Sequence, residues 1–304
     1  MNENIQKKYF GMTLDPIHIG TGGYRLGRVD NTIVREPGTT IPKIPGTTIE
    51  GSARTYAYYK EKENNSRIND ACALGKEIKR EKETIKPCGK CSVCITFGFT
   101  RDDKSLHGMA QFSDARILFF PVHSMLGPVW VTSPSVLKEV GLEGFSVGDE
   151  NKIKTSLIKK GEKLNLGWLY LENEEKIPIA EKLDEIPRDI KNRYVLVSDK
   201  LFSRVVNSNL EVRTSVAIDP RTGAAEEGAL FTYEAIPRAT ILWFYVIQNS
   251  PSKFDLPEDS GVKTEGDVIN EVEKGVRLFE TFGIGGMQTR GFGRMRILNL
   301  EGDD

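Results

Sequence analysis

Three closely spaced cysteines form a pattern typical of a metal site. Cys88, Cys91 and Cys94 make a double C-x2-C motif, which brings three thiolates within reach of one ion. Zinc prefers four ligands in a tetrahedron, and Cys72 is the obvious fourth ligand, with His107 as the alternative. A closed shell of four ligands leaves no position for water, so the sequence predicts a structural Zn²⁺ ion. Free thiols are the competing interpretation.

A glycine-rich stretch near the C-terminus has the composition of an anion-binding loop. Residues 283–294 contain five glycines together with Arg290 and Arg294. Glycine lets backbone N–H groups point into one concavity and the arginines supply charge, so a phosphate chain is the natural ligand. The stretch matches neither the P-loop nor the dinucleotide-binding motif. A helix C-cap followed by a tight turn is the alternative interpretation.

A second anion site is predicted where a helix starts near Thr47. Thr47 and Glu50 have the spacing of a capping box, and Ile49 begins the apolar face of the helix. The start of a helix carries free N–H groups and a positive dipole end, with Lys43 just upstream and Arg54 inside this helix. A plain capped helix would explain the capping box alone.

A loop after the first predicted strand carries two candidates for acid–base or metal chemistry. Residues 20–30 are rich in glycine and charge, which indicates an exposed loop. Asp30, beside Arg28, has the chemistry to bind a divalent ion or to orient a hydroxyl, although a lone loop aspartate is usually a turn former. His18 has no identifiable partner, and most isolated histidines are structural.

The charge balance excludes a uniformly basic surface for nucleic acid. The 304 residues include 42 basic and 43 acidic side chains, so any RNA or DNA must be met by local patches. Residues 17–60 hold six basic against three acidic residues, and residues 274–296 hold five against one. We expect these two locally basic segments to meet. The first eight residues lack an apolar core and the longest apolar run, 239–247, is too short to span a bilayer, so we expect a cytoplasmic protein with no membrane contact.

The elements that must position these residues combine strand and helix patterns. A helix is predicted over residues 269–279, and the alternation of residues 211–218, a turn at 219–223 and a return at 230–233 predict a long polar hairpin. This hairpin has too few apolar residues to pack on both faces, so we expect it to face a partner. The other predicted strands lie at residues 9–14, 111–122, 129–131, 166–171, 194–197, 240–247 and 295–300.

The ordered set of motifs resembles the RAMP superfamily of CRISPR-associated proteins. Three segments carry this resemblance, at residues 45–54, 112–115 and 283–294. Further segments look more narrowly like the repeating backbone subunit of the type III-B (Cmr) interference complex. These segments are DPIHIGTG at 15–22, RVD at 28–30, FFPV at 119–122, WVTSP at 130–134 and GALF at 228–231.

The resemblance implies an α+β fold and a set of partners. The expected fold is a single domain over residues 1–304, with a modified RRM (ferredoxin-like) palm, an inserted subdomain at 61–110 that carries a zinc knuckle, and a β-hairpin thumb at 207–238. Copies of the family's subunit stack along a CRISPR RNA beside the other subunits of the complex. Each thumb splays one base pair of the duplex between guide and target RNA, and the target is cut beside each thumb.

The resemblance also implies roles for individual residues. The family cuts RNA with an aspartate in the loop after the first strand, a position that Asp30 occupies. His18 matches a histidine of the same motif, and Glu234 falls near acidic and aromatic family positions. Cutting is expected to need Mg²⁺ or Mn²⁺ and to proceed by attack of a 2′-hydroxyl. The residues expected to bind RNA are Lys43, Gly46, Thr47, Thr48, Arg54, Gly286, Met287, Gln288, Arg290, Gly291 and Arg294.

Two other functions fit the same sequence. A scaffold subunit without catalysis would have the same phosphate-binding loop and hairpin, and is distinguished by whether Asp30 matters to cutting. A guide-processing endonuclease of the same superfamily would use a histidine, with His18 as the candidate, and would need no metal. The zinc and hairpin features favour the filament subunit.

Overall fold

The computed structural model describes residues 6–22, 29–64, 68–101, 104–177 and 183–300, with the backbone alone at 64 and 227–229. The described strands are Gln6–Thr13 (β1), Lys43–Ile44 (β2), Ile78–Lys79 (β3), Thr84–Ile85 (β4), Phe99–Arg101 (β5), Lys104–Leu106 (β6), Ala110–Phe112 (β7), Ala115–Ser124 (β8), Gly127–Thr132 (β9), Ile153–Lys154 (β10), Lys163–Leu166 (β11), Leu169–Glu175 (β12), Tyr194–Val197 (β13), Glu211–Ile218 (β14), Ala225–Ala235 (β15), Ile241–Gln248 (β16) and Met295–Ile297 (β17). The described helices are Gly46–Asn64 (α1), Asp70–Leu74 (α2), Ser92–Phe97 (α3), Pro134–Glu139 (α4), Arg188–Lys191 (α5), Asp199–Ser208 (α6) and Glu265–Arg277 (α7).

A large mixed sheet forms the centre of the molecule. Eleven of the described strands belong to it, in the order β11-β12-β10-β13-β9-β8-β16-β1-β17, with β2 on β8 and β7 on β16. The apolar strand β16 is central and buried, as its sequence predicts, and pairs antiparallel with β1 and with β8. The pairs β9·β13 and β10·β12 are parallel, so the α+β class is confirmed as a mixed sheet with helices.

Helices α1 and α7 pack against each other so closely that a glycine is required between them. A Cβ on Gly275 would lie 2.1 Å from the carbonyl oxygen of Ala53. Helix α7 starts with a capping box between Thr264 and Asp267, and its apolar side chains Val272 and Val276 are buried. Because β17 and the glycine-rich stretch follow α7, this packing brings the two ends of the chain together.

The structure corrects several predicted boundaries. The strand expected over residues 111–122 is broken at Ser113 and Asp114, because Asp114 turns away to bind the start of α1, and its second half continues past Pro121 to Ser124. Helix α1 runs to Asn64, four residues into the segment 61–110 that the sequence predicts as an inserted subdomain. Residues 207 and 208 belong to α6, so the hairpin itself consists of β14 and β15. Within the described residues, no helix has the length and apolar character needed to cross a membrane.

Candidate nucleic-acid interface and metal centre

Three segments that are distant in sequence meet at the base of the hairpin. Ile17 exchanges backbone hydrogen bonds of 2.8 and 2.9 Å with Ile236 at the end of β15. The N–H of Gly286 donates to the carbonyl oxygen of His18, and that of Gly293 donates to Pro16, both at 2.9 Å. We call this meeting point of the first loop, the base of the hairpin and the glycine-rich loop the hairpin junction.

Asp30 is held at the hairpin junction by a single residue of β15. Its Oδ2 accepts hydrogen bonds from the backbone N–H and from the hydroxyl of Thr232, at 2.9 and 2.8 Å. The N–H of Asp30 donates back to the Thr232 hydroxyl at 2.9 Å. The Thr232 N–H first, and then its hydroxyl, lower the pKa of Asp30. This carboxylate is therefore ionised at neutral pH and is a weak base.

His18 and Glu234 lie inside the junction rather than on its surface. The His18 side chain is 7% exposed, and its Nδ1 lies 2.7 Å from the carbonyl oxygen of Glu234. Since a carbonyl only accepts, Nδ1 carries the proton. The Glu234 carboxylate is bound by Arg35, with Nη2 2.6 Å from Oε1, and by the backbone N–H of Ile33. Both side chains therefore join segments of the protein, and His18, which the sequence predicts as a catalytic residue, lies beneath the surface of the junction.

The glycine-rich loop folds against the first loop and exposes its middle. A Cβ on Gly285 would lie 2.4 Å from Ile19, so packing within the protein accounts for this glycine. Met287 adopts a left-handed backbone conformation with φ of 60°, and a short 3-10 turn follows over Gln288–Arg290. The side chains of Gln288, Thr289 and Arg290 are exposed, as is Gly291. The loop therefore presents a short polar surface at the hairpin junction.

Of the two arginines in this loop, only Arg290 is without a partner among the described residues. Arg294 binds Asp15 with Nε and Nη2, the latter at 3.2 Å from Oδ1. Asp15 raises the pKa of Arg294 through the hydrogen bond first and the charge second. The Arg294 charge is thus largely balanced within the protein. Arg25 and Arg28, which the sequence also placed near this site, lie outside the described residues.

The start of α1 is bound by a carboxylate of the protein itself. The N–H of Gly46 donates to Oδ1 of Asp114 at 2.8 Å, and Lys43 Nζ lies 2.6 Å from Oδ2 of the same side chain. Lys43 also pairs with Glu36 at 3.1 Å. Helix α1 begins one residue before Thr47, and Asp114 rather than the predicted capping box binds its first N–H. The predicted anion site thus already holds an anionic group.

Arg54 does not reach the surface. It is 8% exposed, and its guanidinium donates to the carbonyl oxygens of Cys72, Phe97 and Gly98. Burial lowers its pKa, and Glu50 at 3.7 Å partly compensates. This placement leaves Arg54 no exposed face for a phosphate, and instead joins α1 to the segment that carries the cysteines.

The four cysteines converge on one point. The Sγ atoms of Cys72, Cys88, Cys91 and Cys94 all lie within 4.8 Å of one another, and those of Cys88 and Cys94 are 4.0 Å apart. Four thiolates around Zn²⁺ at about 2.3 Å would be about 3.8 Å apart, so the cluster fits this ion. Backbone N–H groups of three of these cysteines point at neighbouring sulfurs at 3.3 to 3.4 Å. The exposed His107 is not part of the cluster.

Hydrogen bonding within the cluster favours a thiolate. Bonds from the neighbouring thiols, that of Cys72 first, lower the pKa of Cys88. Cys91 caps α3, since its Sγ accepts from the Cys94 N–H. The four sulfur atoms thus lie together as the cysteine spacing predicts, in an arrangement compatible with one structural ion.

Thr232 and Asp114 are the important site residues that the sequence does not assign. Thr232 is one of several polar residues of a hairpin, and its spacing carries no signal that it meets Asp30, 202 positions away. Asp114 stands in the segment at 112–115 that carries the family resemblance, so that segment was a usable signal. The contact of Asp114 with the start of α1 depends on the folded sheet, so the sequence alone does not show it.

Comparison with known proteins identifies the family. The chain matches the RAMP superfamily over residues 12–296. It is 26% identical over 307 residues to the CRISPR system Cmr endoribonuclease Cmr4 of Pyrococcus furiosus, covering 94% of this chain and 92% of that protein. The chain is also 32% identical over 94 residues to the CRISPR system endoribonuclease Csm3 of Methanothermobacter thermautotrophicus. This shorter match covers 30% of this chain and 32% of that protein.

Solved structures share the fold. A type III-B Cmr-beta complex in the apo state contains a chain that superposes with a TM-score of 0.66 at 16% identity, over 97% of this chain and 98% of that one. A crystal structure of Cmr4 gives a TM-score of 0.57 at 22% identity, over 96% and 98% of the two chains. Since the family match extends over nearly the whole chain and the mixed sheet agrees with these structures, the protein belongs to the RAMP superfamily.

Proposed function

We propose that this chain is a repeating backbone subunit of a type III-B CRISPR effector, which binds the CRISPR RNA guide and cuts complementary target RNA at regular intervals. Similarity to a Cmr endoribonuclease over 94% of the chain supports this function. The fold is also shared with a Cmr-beta complex bound to cognate target RNA, with a TM-score of 0.65. The observation that carries the proposal is the partly exposed Asp30 carboxylate, held at the junction of the glycine-rich loop and the hairpin. Its partners are the guide, the target, further copies of the chain and the other subunits.

The sheet supports an RRM-like palm. Four strands lie in the order β17-β1-β16-β8, all antiparallel, with α1 after β1 and α7 between β16 and β17. Numbered by their place in a βαββαβ unit, these strands have the order 4-1-3-2, which is the ferredoxin-like arrangement. The hairpin β14–β15 forms a separate two-stranded sheet and takes the part of the thumb.

Guide binding is assigned to the exposed middle of the glycine-rich loop. Arg290 supplies charge, and the backbone of Gly286 to Gly291, with Met287 and Gln288, supplies hydrogen-bonding groups to the phosphates. Thr47 and Thr48, in the first turn of α1, supply further hydroxyl donors. Contacts of this kind do not depend on the RNA sequence. A subunit that accepts any guide requires such contacts. Lys43, Gly46 and Arg294 contribute less, because carboxylates of the protein already bind them, and Arg54 is left out.

Cutting is assigned to a 2′-hydroxyl of the target strand with Asp30 beside it. A nucleotide splayed by the hairpin can align its 2′-oxygen with the neighbouring phosphorus, so geometry supplies much of the rate. The 2′-hydroxyl loses its proton to water and its oxygen bonds to phosphorus as the bond to the 5′-oxygen breaks. The leaving 5′-oxygen takes a proton from water, so the products are a 2′,3′-cyclic phosphate and a 5′-hydroxyl. Because its pKa is lowered, Asp30 is better suited to hold a divalent cation than to accept a proton.

The residues present are compatible with a divalent ion at this position. Both hydrogen bonds from Thr232 go to Oδ2 of Asp30, so they leave Oδ1 for a cation. One carboxylate together with RNA phosphate and water is a common shell for Mg²⁺ or Mn²⁺. Such an ion would supply charge stabilisation at the cut phosphate. The four-cysteine cluster fits a separate, structural Zn²⁺ ion.

The test uses Asp30→Asn in the complex assembled with a guide. We expect target cutting in single-turnover assays to fall by at least about 100-fold, with the dissociation constant for target RNA unchanged, because the charge is lost but the hairpin remains. Asp219→Asn, which removes the same charge at the hairpin turn, is the matched control and should cut normally. Full activity of Asp30→Asn would leave the non-catalytic scaffold as the function. The wild-type product should end in a 2′,3′-cyclic phosphate.

A further inference from the structure

The loop that carries Asp30 is added to the edge of the hairpin as a short extra strand. Asn31 forms a parallel bridge with Tyr233, in which its N–H donates to the carbonyl of Thr232 at 3.1 Å and its carbonyl accepts from Glu234 at 3.0 Å. The Asp30 carboxylate then closes onto Thr232. Both hydrogen bonds that the Asp30 side chain accepts from another residue of the described chain therefore come from the hairpin.

The face of the hairpin that carries Thr232 continues into exposed apolar side chains. Thr214 lies directly opposite Thr232, and Val216 lies directly opposite Leu230. Alternate residues of a strand share one face, so all four side chains lie on the same side of the hairpin. Leu230 and Val216 are exposed, and Leu230 is two residues from Thr232, about 7 Å along the strand. The group that holds Asp30 is thus in fixed register with the part of the hairpin that is free to meet RNA.

We infer that Thr232 is a positioning residue, which fixes the Asp30 carboxylate to the hairpin so that the cutting group and the element that displaces a nucleotide move as one unit. This inference rests on the proposed function of Asp30. The hydroxyl of Thr232 is well suited to the role, because it donates to Oδ2 and accepts from the Asp30 N–H at the same time. Valine has the same shape but can do neither. Serine can do both.

The hairpin is itself anchored at the junction, so a carboxylate attached to it is held against the body of the protein. Glu234, two residues after Thr232, is bound by Arg35, which also donates to Asn207 of α6 at 3.0 Å. On the other strand, Arg213 donates to the carbonyl of Gly291 at 3.2 Å. These contacts do not involve Thr232, so the anchoring of the hairpin survives the loss of its hydroxyl.

The experiment compares Thr232→Val, Thr232→Ser and Thr214→Val in the guide-loaded complex. Thr232→Val should lower the single-turnover cutting rate by about 10- to 100-fold at an unchanged dissociation constant for target RNA, since a small displacement of a catalytic group has an effect of this size. Thr232→Ser should restore most of the rate. Thr214→Val makes the same chemical change on the same face but on the other strand, and should cut within about twofold of the wild type. Circular dichroism and thermal unfolding check that each variant is folded.

A double variant separates this inference from the proposed function. If Thr232 acts through Asp30, adding Thr232→Val to Asp30→Asn should lower the residual rate no further. Normal cutting by Asp30→Asn would overturn the proposed function. An inactive Asp30→Asn together with a fully active Thr232→Val would overturn the positioning role alone. Equal losses in Thr232→Val and Thr214→Val would also overturn it, because the hairpin surface rather than the carboxylate contact would then control the rate.

Discussion

Arg290 differs from the other basic side chains that were expected to bind RNA. Lys43, Arg54 and Arg294 are each held by oxygen atoms of the protein. No hydrogen bond or ion pair among the described residues engages the Arg290 guanidinium, which is exposed beside Gly291 in the glycine-rich loop. A cation that is not balanced within the protein retains its full attraction for a phosphate. Arg290 is therefore the side chain most available to the guide.

Replacing Arg290 should change the salt dependence of guide binding. Loss of one phosphate contact lowers the slope of log affinity against log salt by about 0.7 to 0.9, so Arg290→Ala should bind less tightly and with a shallower slope. Filter-binding titrations over a series of salt concentrations measure both quantities. Arg296→Ala is the control, because Arg296 is equally exposed but pairs with both oxygens of Glu280. An unchanged slope in Arg290→Ala would mean that this arginine faces away from the guide.

Residue types in the sequence located the charged side chains but not the residues that bind them within the protein. The charges of Lys43 and Arg294 were visible, while Asp114 and Asp15, which bind them, lie 71 and 279 positions away in the chain. Pairings over such separations depend on the sheet order, which periodicity does not give. Cys72 was correctly placed with the other cysteines, because thiols at C-x2-C spacing need a fourth ligand whatever the fold. Thr232 had no such chemical signal.

At the scale of elements, the segment between α1 and β7 is organised around the cysteine cluster. The elements between α1 and β7 are short, and short strands and helices bury little apolar surface of their own. Cys72 belongs to α2, and Cys91 caps α3, so one ion would join both helices. Arg54 then connects this unit to α1 through three carbonyl oxygens. We expect the ion to stabilise this segment in the way that structural zinc usually does.

Metal analysis tests the cluster. Protein purified without added zinc should contain one zinc per chain by mass spectrometry of the metal, and Cys72→Ser should lose it and unfold at a lower temperature, because three thiolates leave the shell open. His107→Ala is the matched control and should keep both the zinc and the unfolding temperature. Retention of zinc by Cys72→Ser together with its loss in His107→Ala would reverse the ligand assignment. Absence of metal in the wild type would contradict the site.

Hydrophobic periodicity predicted helices and strands correctly where burial of one face determines the sequence pattern. The apolar strand β16 and the amphipathic helix α7 were both located from periodicity. The break between β7 and β8 was missed, because Ser113 and Asp114 interrupt an otherwise continuous strand pattern for a tertiary reason. Ser113 binds the backbone of Tyr245, and Asp114 binds the start of α1. Such a break follows from neighbours, not from local sequence.

At the scale of the whole molecule, the hairpin stands apart from the large sheet. Strands β14 and β15 pair only with each other, apart from single bridges at their base, whereas eleven other strands share one sheet. The side chains of Ile218 and Leu230 are exposed although they are large and apolar. Exposed apolar side chains on a projecting element are typical of a surface that meets a partner. In the proposed effector, that partner is the duplex of guide and target.

Shortening the hairpin should therefore separate assembly from cutting. Ser215 and Phe231 lie directly opposite each other, so an Asn-Gly turn can replace residues 216–230 and still join the two strands. The removed side chains with described burial are almost all exposed, so unfolding free energy should change by about 1 kcal/mol or less and the unfolding temperature by less than about 3 °C. Guide binding should persist, because the glycine-rich loop is intact. Cutting at regular intervals should be lost, since the target is no longer displaced beside Asp30.

A variant with only turn residues 220–223 changed to glycine and serine keeps the length and should cut. Regular cutting by the shortened chain would show that the base of the hairpin is sufficient and that its exposed part serves another contact.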